Sequence, residues 1–475
     1  MNTCEKTKIS FGTSGWRGII SDDFTSDNVA IVAQAIANYF KRTEDTKKSF
    51  VIGYDTRFMS DRFALICANV LKNNGISVLF TERDAPTPVI AFQILKNKAM
   101  GSINITASHN PPAYNGIKVN TSYGGPAPAE VTKEIEKEIK RLQDENAVIK
   151  YSTDKEGIKT FDAAPAYLKR ITELIDFKAI KKSKIKIAMD CLYGTSRGYL
   201  DFLLEEAGIK PIVLHDSINP DFGGSSPCPS AECLCELKKT ILKNHANIGL
   251  ATDGDADRFG ILDKDGSFMS PNHILPLMFE HLLKTRKQKG GIVRSITTSH
   301  LLDAMAEKAG REVYEVPVGF KYVGSALTEK GALMGCEESG GMTIYGHVPE
   351  KDGILACLLM TEIAAYNKKP FKVLLSELEK KYGKYFSKRL DIGLKQENKE
   401  KLLEDLRNNP MKTFAGVEVS KYEILPGDNF KIELTDGGWA MIRPSGTEPI
   451  VRGYIETTVA KKFTAMEKAM RELFV

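Results

Sequence analysis

The stretch IKIAMDCLYGTSRGYLDFLLEEAGIKPIVL, residues 185–214, decides the fold class. It begins with an apolar run typical of a buried strand, passes through a turn into a helical segment, and returns to a second apolar run. Gly208 stands between the helical segment and the second run, where glycine suits the left-handed position just past a helix C-terminus. The order of strand, helix and strand is typical of an α/β unit with parallel strands.

The same order occurs twice more in the chain. Apolar runs at 51–54 and 291–293 each precede a helical segment that ends at a glycine, Gly75 and Gly310, and a second apolar run follows each glycine. A third apolar run comes later in every segment, at 101–105, 246–251 and 332–335. We therefore predict an α/β fold with three tandem, homologous α/β units, each with a mixed, largely parallel sheet.

From about Lys384 this order ends. A charged helical segment at 400–406 precedes two short strand-like runs, 430–434 and 438–442, and an amphipathic helix at 461–473 closes the chain. We predict a smaller C-terminal α+β domain here. The predicted domains are 1–170, 171–267 and 268–383 for the three α/β units and 384–475 for the α+β domain.

Composition agrees with this organisation and excludes several classes. The 475 residues carry a net charge of +5 and are 42% hydrophobic, as in a globular chain that buries several cores without disulfides. The start MNTCEKTKIS has no apolar signal-peptide core, and the most apolar helical stretch, 354–365, is short and is predicted to be a buried helix. We expect a cytoplasmic protein with reduced thiols and neither nucleic-acid nor membrane partners.

A polar loop follows the third apolar run of each α/β unit. These loops are TASHNP at 106–111, TDGDADR at 252–258 and EESGG at 337–341. Because ligands of open α/β sheets bind at the carboxyl ends of the strands, we expect the three loops to form walls of one shared cleft. A fourth polar loop, RPSGTEP at 443–449, lies in the C-terminal domain.

Aspartates alternate in the second loop, at Asp253, Asp255 and Asp257. In an extended loop this period points all three carboxylates the same way, and oxygen ligands favour Mg²⁺, Ca²⁺ or Mn²⁺. A calcium EF-hand loop is excluded, because its sixth position is Arg258 rather than glycine and its twelfth is Lys264 rather than glutamate. A solvated acidic turn is the remaining alternative.

Ser108 must lie in a loop, because the prolines that follow it end any regular element. Loop serines mostly form turns, but beside a metal site this serine is a candidate phosphoryl carrier. We expect His109 to orient the loop or to hydrogen-bond the backbone rather than to transfer protons. Lys118 is a candidate acid–base group or phosphate neutraliser, with a solvated lysine as the alternative.

Two further loops offer groups that suit sugar phosphates. Segment 443–447 combines a guanidinium, two hydroxyls and a glycine backbone, which suits a phosphate, and Arg452 could add a second positive charge. Glu337 and Ser339 put a carboxylate and a hydroxyl on one side of the third loop, which suits sugar hydroxyls. On local sequence alone, ordinary turns are the alternatives.

Two other patterns do not predict chemistry. GTSRG at 194–198 matches the nucleophile elbow of α/β-hydrolases, with Ser196 as nucleophile, but no HGGG-like segment accompanies it and the aspartates would have no role. A tight structural turn is the better interpretation. Cys228, Cys233 and Cys235 cluster without the spacing of a common zinc site, so we interpret them as core or surface thiols.

Together these loops resemble the α-D-phosphohexomutases, the phosphoglucomutase/phosphomannomutase family. The resemblance spans nearly the whole chain and implies four domains around a central cleft. The motifs in family order are FGTSGWRG at 11–18, TASHNPPAYNGIK at 106–118, DGDADR at 253–258, VPVGFKYVG at 316–324, EESGG at 337–341 and RPSGTEP at 443–449.

The resemblance also implies residue roles. Ser108 would be a phosphoserine, and its phosphate would ligate Mg²⁺ together with Asp253, Asp255 and Asp257. The remaining implied roles are Arg17 and Lys118 beside the transferring phosphoryl group; Glu337 and Ser339 on sugar hydroxyls; Lys321 facing the sugar ring; and Arg443, Ser445, Gly446 and Thr447 on the phosphate that is not reacting. We further predict that His109 is a catalytic residue and that Arg258 and Arg452 bind substrate.

The implied activity is that of an isomerase of carbohydrate metabolism, a phosphotransferase that interconverts hexose 1-phosphate and hexose 6-phosphate, with Mg²⁺ and glucose 1,6-bisphosphate as cofactors. The partners would be small hexose phosphates, and the protein a monomer or homodimer. Thr106 and Pro444 favour glucose or mannose, and phosphoglucosamine mutase, phosphopentomutase and a catalytically silent sugar-phosphate-binding relative are the alternatives. Cys228 and Cys336 depart from the family pattern and have no assigned role.

Overall fold

The computed structural model describes residues 7–444 and 450–474, which form two compact units. The first unit contains the described residues up to Ile296 together with Arg311–Leu374, and it is built on three sheets. The second unit contains Thr297–Gly310 and the described residues from Leu375 onward, and it is built on a fourth sheet.

The first sheet has six strands. The elements of this part of the chain are β1 (Trp16–Ile19), α1 (Ser26–Thr43), β2 (Phe50–Tyr54), α2 (Ser60–Asn73), β3 (Val78–Thr81), α3 (Thr87–Asn97), β4 (Gly101–Ile105), β5 (Tyr114–Thr121), α4 (Ala129–Asp144) and β6 (Lys159–Phe161). The strand order is β1-β5-β4-β2-β3-β6, with β4, β2, β3 and β6 parallel to one another and β5 and β1 joined by antiparallel pairing.

The second sheet has five strands. Its part of the chain comprises α5 (Ala164–Leu174), α6 (Phe177–Ser183), β7 (Ile187–Asp190), α7 (Leu200–Glu206), β8 (Ile212–Leu214), α8 (Cys235–Asn244), β9 (Ile248–Thr252), β10 (Phe259–Asp263) and β11 (Phe268–Met269). The order is β11-β10-β9-β7-β8, in which β9, β7 and β8 are parallel.

The third sheet has four strands. The elements are α9 (Pro271–Thr285), β12 (Ile292–Ser295), α10 (Leu301–Lys308), β13 (Val313–Val316), α11 (Phe320–Lys330), β14 (Met334–Glu337), β15 (Gly341–Ile344), α12 (Gly353–Asn367) and α13 (Phe371–Tyr382). The order is β13-β12-β14-β15, and only β15 among these four strands pairs antiparallel.

The three sheets share one topology, which confirms the predicted repeat. In each sheet the strand of the third apolar run (β4, β9 or β14) lies between the first strand, to which it is parallel, and an antiparallel strand that follows it in the chain. Gly75, Gly208 and Gly310 have φ of 78°, 75° and 64°, so each adopts the left-handed conformation expected past a helix end. The three polar loops therefore occupy equivalent positions in their own sheets, each between the strand of the third apolar run and its antiparallel neighbour.

The fourth sheet is antiparallel throughout, which confirms the predicted α+β domain. Its part of the chain comprises β16 (Phe386–Gly393), α14 (Gln396–Asn408), β17 (Thr413–Phe414), β18 (Val417–Leu425), β19 (Asn429–Leu434), β20 (Trp439–Pro444), β21 (Ile450–Thr457) and α15 (Ala460–Glu472). The strand order is β16-β21-β20-β19-β18-β17. Apolar residues from β19, β20 and β21 form its core with Met466 and Met470 of α15.

The structure differs from the predicted boundaries at two points. Helix α5 continues across residue 170, and β11 pairs with β10, so the second sheet continues past residue 267. Helix α4 buries one face through Val131, Ile135 and Ile139, because apolar residues recur at helical spacing among its charges.

Helix α12 is buried over Gly353–Ala365, as predicted for this apolar stretch. Within the described ranges, no helix is long and apolar enough to cross a membrane.

Candidate active site

Three loops of the first unit carry six of the described site residues that we predicted, together with Ser339: Ser108, His109, Asp253, Asp255, Asp257 and Arg258. We call residues 106–113 the serine loop, 253–258 the aspartate loop and 338–340 the glutamate loop. Each begins where a central strand ends, at β4, β9 and β14 respectively. The carboxyl end of a central strand is where open α/β sheets bind ligands, so the fold itself presents these loops for binding.

The aspartate loop is a tight turn and not the extended segment that we predicted. The amide of Ala256 donates to the carbonyl of Asp253 at 2.9 Å, and Ala256 has φ of 55°. Turn formation nevertheless brings the three carboxylates together, since one oxygen from each of Asp253, Asp255 and Asp257 lies within 4.8 Å of the others. All three side chains are buried, which makes their mutual repulsion strong.

Neighbouring elements fix the aspartate loop by hydrogen bonds to its backbone and side chains. The amide of Gly353, at the start of α12, donates to the carbonyl of Ala256 at 3.0 Å. The hydroxyl of Thr87, at the start of α3, donates to Asp255 Oδ2, and the side-chain amide of Asn104 donates to that hydroxyl at 2.7 Å. The position of Asp255 is therefore set by the first sheet as well as by its own loop.

Ser108 faces this cluster directly. Its Oγ donates to Asp253 Oδ2 at 2.6 Å, and the residue is 1% exposed. Its backbone is left-handed, with φ of 54°, and its amide donates to the hydroxyl of Thr106 at 2.9 Å. The structure thus joins the predicted serine and the predicted metal ligands in one buried group.

Two buried lysines balance the carboxylates. Lys118 Nζ lies 2.5 Å from Oδ2 of both Asp255 and Asp257, and Lys351 Nζ lies 2.7 Å from Asp257 Oδ2. Burial acts to lower the pKa of Lys118, but Asp255 and Asp257 outweigh burial and raise the pKa above its usual range, so this ammonium stays charged. For the pKa of Asp257, burial acts upward, but the lysines and Arg258 outweigh it and hold the pKa well below the usual range.

Burial dominates at Asp253 and His109. Burial, followed by repulsion from Asp257 and Asp255, raises the pKa of Asp253 to about 8. Burial and the positive charges of Arg258 and Arg17 hold the pKa of His109 well below its usual range, so its imidazole is neutral at pH 7. His109 Nδ1 lies 3.3 Å from Ser108 Oγ, where a neutral ring can exchange a hydrogen bond with the hydroxyl.

The first sheet also brings Arg17 to the serine loop. Arg17 lies on β1 and pairs with Gly116 of β5, two residues from Lys118, and its Nη1 donates to Asn110 Oδ1. Burial and the neighbouring charge of Arg258 lower the pKa of Arg17 to about 10, so its guanidinium remains positive at pH 7. The amide of Arg258 donates to Asp253 Oδ1 at 2.9 Å, which places a second arginine at the end of the aspartate loop.

The third sheet supplies the remaining predicted residues of the first unit. Glu337, at the end of β14, accepts the amide of Gly319 at 2.7 Å, while Ser339 is half-buried. Lys321 lies in the first turn of α11 and lines one cavity with Lys118 and Lys351. Burial lowers the pKa of Lys321.

The predicted phosphate loop lies in the second unit. Arg443 of β20 pairs with Arg452 of β21 in adjacent antiparallel register, so the two arginines are neighbours on this sheet. Arg452 Nε lies 3.8 Å from Asp391 Oδ1. Ser445, Gly446 and Thr447 lie outside the described residues.

Three residues that contact the predicted ones were not themselves predicted: Arg57, Thr87 and Lys351. Arg57 follows the first strand of the repeat at its carboxyl end, which is the signal that could have found it. Lys351 lies directly before the apolar helix α12, but nothing local links it to Asp257. Thr87 starts α3, whose N-terminus could have suggested a carboxylate partner.

The hydrolase alternative has no support in the geometry. Ser196 is fully buried, and its Oγ accepts a hydrogen bond from the hydroxyl of Thr252 at 2.8 Å. The turn that contains it supports the aspartate loop, since the amide of Thr195 donates to the carbonyl of Gly254 at 3.0 Å. Among the described residues, the aspartate triplet is the only group of three or more histidine, cysteine, aspartate or glutamate side chains placed to hold a metal ion.

A buried loop serine against a carboxylate cluster, with lysines and arginines converging on both, fits the needs of a phosphotransferase. Comparison with known proteins identifies the family. The matching models are Phosphoglucomutase/phosphomannomutase alpha/beta/alpha domains I, II and III at residues 8–146, 165–266 and 270–382, and the Phosphoglucomutase/phosphomannomutase C-terminal domain at 395–473. The chain belongs to the phosphoglucomutase/phosphomannomutase family and is a hexose-phosphate mutase.

Individual relatives agree with this assignment. A "Phosphoglucomutase/phosphomannomutase" of Thermococcus kodakarensis is 31% identical, covering 95% of each chain. A "Probable phosphoglucosamine mutase" of Methanosphaera stadtmanae is also 31% identical, covering 97% of each chain. A crystal structure of a "putative phosphomannomutase" from Thermus thermophilus is 28% identical with a TM-score of 0.83, covering 98% of this chain and 99% of the other.

Proposed function

We propose that this mutase interconverts the 1-phosphate and the 6-phosphate of glucose or mannose, with Ser108 as the phosphoryl carrier. The observation that carries the proposal is the 2.6 Å hydrogen bond between Ser108 Oγ and Asp253, within a buried cluster of three carboxylates. A serine that serves only as a turn former has no reason to contact such a cluster, whereas a phosphoserine needs the charge-stabilised surroundings that this cluster and its lysines provide.

The chemistry of the aspartate cluster fits Mg²⁺. Asp255 Oδ1 and Asp257 Oδ1 are buried, and neither has a hydrogen-bond partner among the described residues, although an unpartnered carboxylate oxygen is costly to bury. Three carboxylates in a compact turn form the oxygen-only set that Mg²⁺ prefers, with room for a phosphate oxygen. We propose that Asp253, Asp255, Asp257 and the Ser108 phosphate hold the ion, which would offset charge on the transferring group.

The basic residues would neutralise and orient the phosphoryl group. Lys118 stays charged, which favours a role as phosphate neutraliser over that of a general base. Lys351 and Arg17 would add positive charge, and neutral His109 would orient the Ser108 oxygen. In the reaction, the bond from phosphorus to Ser108 Oγ breaks and a bond forms from phosphorus to the free hydroxyl oxygen of the hexose phosphate. The proton that this hydroxyl releases is balanced by the proton that Ser108 Oγ takes up as it becomes a hydroxyl again.

One serine must serve both ends of the sugar, because the product of the first transfer is a hexose 1,6-bisphosphate. This intermediate has to turn around so that its other phosphate faces Ser108, and glucose 1,6-bisphosphate would therefore also act as activator. We propose that the residues predicted to bind substrate accept the sugar in either orientation. They are Arg258, Lys321, Glu337, Ser339, Arg443, Ser445, Gly446, Thr447 and Arg452.

A second candidate substrate is glucosamine phosphate, because one relative carries that name at the same identity as the phosphoglucomutase/phosphomannomutase. The three sugars differ at carbon 2, in the orientation of a hydroxyl or in its replacement by an amine. Thr106 and Pro444 favour glucose or mannose, as the family resemblance implies. Parallel rate measurements on the 1-phosphates of glucose, mannose, glucosamine and ribose, each with Mg²⁺, decide the preference.

The mechanism is tested with glucose 1-phosphate, Mg²⁺ and a catalytic amount of glucose 1,6-bisphosphate. We expect glucose 6-phosphate as product and near-complete loss of turnover in Ser108→Ala. Ser102→Ala is the matched control, because Ser102 is an equally buried serine on β4 whose hydroxyl has no partner among the described residues. Free phosphate as the main product, or a fully active Ser108→Ala, would refute the proposal, and loss of activity in a folded Ser196→Ala would revive the hydrolase.

A further inference from the structure

Arg57 uses its whole guanidinium to hold the serine loop. It follows β2, is 3% exposed, and donates from Nε to Asp55 Oδ2 at 3.2 Å. Its other N–H groups reach four main-chain carbonyls, those of Pro111 at 2.8 Å, Tyr114 at 2.9 Å, Ser108 at 2.7 Å and Asn110 at 2.6 Å. A guanidinium has five N–H donors, so every one of them is committed, four of them to the serine loop and its junction with β5.

The bond to the carbonyl of Ser108 matters because of the conformation of that residue. A φ of 54° is unfavourable for a residue with a side chain, and such a conformation persists only where the surroundings hold it. The hydroxyl of Thr106 holds the Ser108 amide, and Arg57 holds the Ser108 carbonyl. Together they fix the two peptide groups that set the direction of the Ser108 side chain.

Arg57 is itself held by Asp55, which follows β2, and by Phe222, which lies between β8 and α8. Asp55 Oδ1 accepts the amide of Arg57 at 2.9 Å and the hydroxyl of Ser60 at 2.7 Å. The ring of Phe222 lies 5.0 Å from the guanidinium carbon, within the range of a cation–π contact. Burial lowers the pKa of Arg57, and the neighbouring carboxylates Asp55, Asp255 and Asp253 oppose this shift only in part.

We propose that Arg57 is a positioning residue that keeps Ser108 in line for transfer to a sugar hydroxyl and thereby limits loss of the phosphoryl group to water. This inference rests on the proposed function of Ser108. In transfer, the sugar hydroxyl accepts the phosphoryl group, whereas in the wasteful reaction water accepts it and inorganic phosphate is released. A serine loop that can shift admits water and misaligns the sugar, so both effects come from one cause.

Lysine cannot replace this contact. It keeps the charge but has three N–H donors on a compact head, whereas Arg57 reaches four carbonyls and a carboxylate with a planar fork. Arg57→Lys is therefore expected to lower kcat about 100-fold, the loss typical of a reacting group misplaced by about 1 Å. The substrate KM should change little, because Arg57 faces the loop backbone, and the share of turnovers that release inorganic phosphate should rise.

The experiment measures kcat, KM, inorganic phosphate released per turnover and Ser108 phosphorylation by intact mass, for wild type and Arg57→Lys. Arg286→Lys is the matched control, because Arg286 also joins a buried carboxylate, Glu362, and a carbonyl, that of Leu174, but it makes no hydrogen bond to the serine loop within the described residues. Asp55→Asn is the second variant, in case Arg57→Lys fails to fold. It keeps the size of the side chain, removes the charge that orients Nε, and should move the same quantities in the same direction.

The outcomes separate this inference from the proposed function. A wild-type protein that is never phosphorylated at Ser108 would overturn both. A phosphorylated wild type with Arg57→Lys and Asp55→Asn at wild-type kcat and wild-type phosphate release would overturn the role of Arg57 alone. A rise in KM with unchanged phosphate release would also overturn it, because that pattern belongs to substrate binding.

Discussion

The backbone of Ser108 is strained. A left-handed φ of 54° costs a residue with a side chain on the order of 1–3 kcal/mol, and here the conformation aims Oγ at Asp253. Lys118 and Lys351 hold the carboxylates of Asp255 and Asp257. The site therefore has fixed geometry before any substrate binds, which is what phosphoryl transfer by positioning and charge requires.

Thr87 offers a prediction about metal affinity at this scale. Its hydroxyl donates to Asp255 Oδ2 and is itself held by Asn104, so Thr87→Val removes one of the two side chains that orient this oxygen and leaves Lys118 as the other. We expect the dissociation constant for Mg²⁺ to rise about 10–100-fold, the usual effect of removing a hydrogen-bond partner of a metal ligand. Isothermal titration calorimetry on dephosphorylated protein measures it without recourse to activity.

The control for this prediction is Thr361→Val. Thr361 is equally buried, but its hydroxyl donates within α12 to the carbonyl of Cys357 at 2.9 Å. We expect this variant to bind Mg²⁺ as wild type does. Equal affinity in Thr87→Val would show that Asp255 needs no support from α3.

At the scale of elements, each of the three sheets in the first unit carries one of the three loops at the end of its central strand. Short turns of neighbouring elements hold these loops in place. The turn after β7 is the support of the aspartate loop. A Cβ on Gly194 would lie 2.8 Å from the carbonyl oxygen of Gly254 and 2.9 Å from that of Asp253, so only glycine allows this close approach. The segment that resembles a nucleophile elbow is thus explained by packing.

Gly194→Ala is expected to push the aspartate loop out of place. We predict a loss of about 1–3 kcal/mol in the free energy of unfolding, as for overpacked sites, together with weaker Mg²⁺ binding. Denaturant titration and calorimetry measure the two effects. Gly393→Ala is the control, because a Cβ there meets no atom within 4 Å; an undisturbed Mg²⁺ affinity in Gly194→Ala would disprove the supporting role of this turn.

The ends of β7 and β8 give a pH prediction. His215 Nδ1 lies 2.8 Å from Asp190 Oδ1, and Nε2 lies 3.4 Å from Glu236. The hydrogen bond to Asp190 raises the pKa of His215. Burial opposes this rise in part, and the negative charges of Asp190 and Glu236 add to it. Because the folded state binds this proton more tightly, the stabilisation is complete below the unfolded pKa of about 6.5 and is lost as pH rises through the folded pKa.

Thermal melts at a series of pH values check this prediction. Wild type should exceed His215→Gln in melting temperature at about pH 5.5–6, below the unfolded pKa, and the difference should shrink toward about pH 9. His245→Gln is the control, since His245 is also left-handed and makes no ion pair within the described part of the chain. A difference for His215→Gln that stays constant with pH would contradict the role of the Asp190 pair.

At the scale of the whole molecule, the architecture can be predicted from the sequence, because the sequence patterns that indicate it are local and occur three times. Apolar runs, glycines such as Gly208 past helix ends, and polar loops after the third strand were all visible in order. The conformation of the aspartate loop was not, because the left-handed Ala256 is an alanine and carries no local signal for a turn. Lys351 and Arg57 act through contacts far along the chain, which depend on packing.

The most direct test of the account follows the phosphoryl group itself. Protein labelled by ³²P-glucose 1,6-bisphosphate is isolated, its labelled peptide is mapped, and unlabelled glucose 1-phosphate is then added with Mg²⁺. We predict label on Ser108 that passes into glucose 1,6-bisphosphate and glucose 6-phosphate within a turnover. Label on another residue, or label released as inorganic phosphate in place of sugar phosphate, would contradict it.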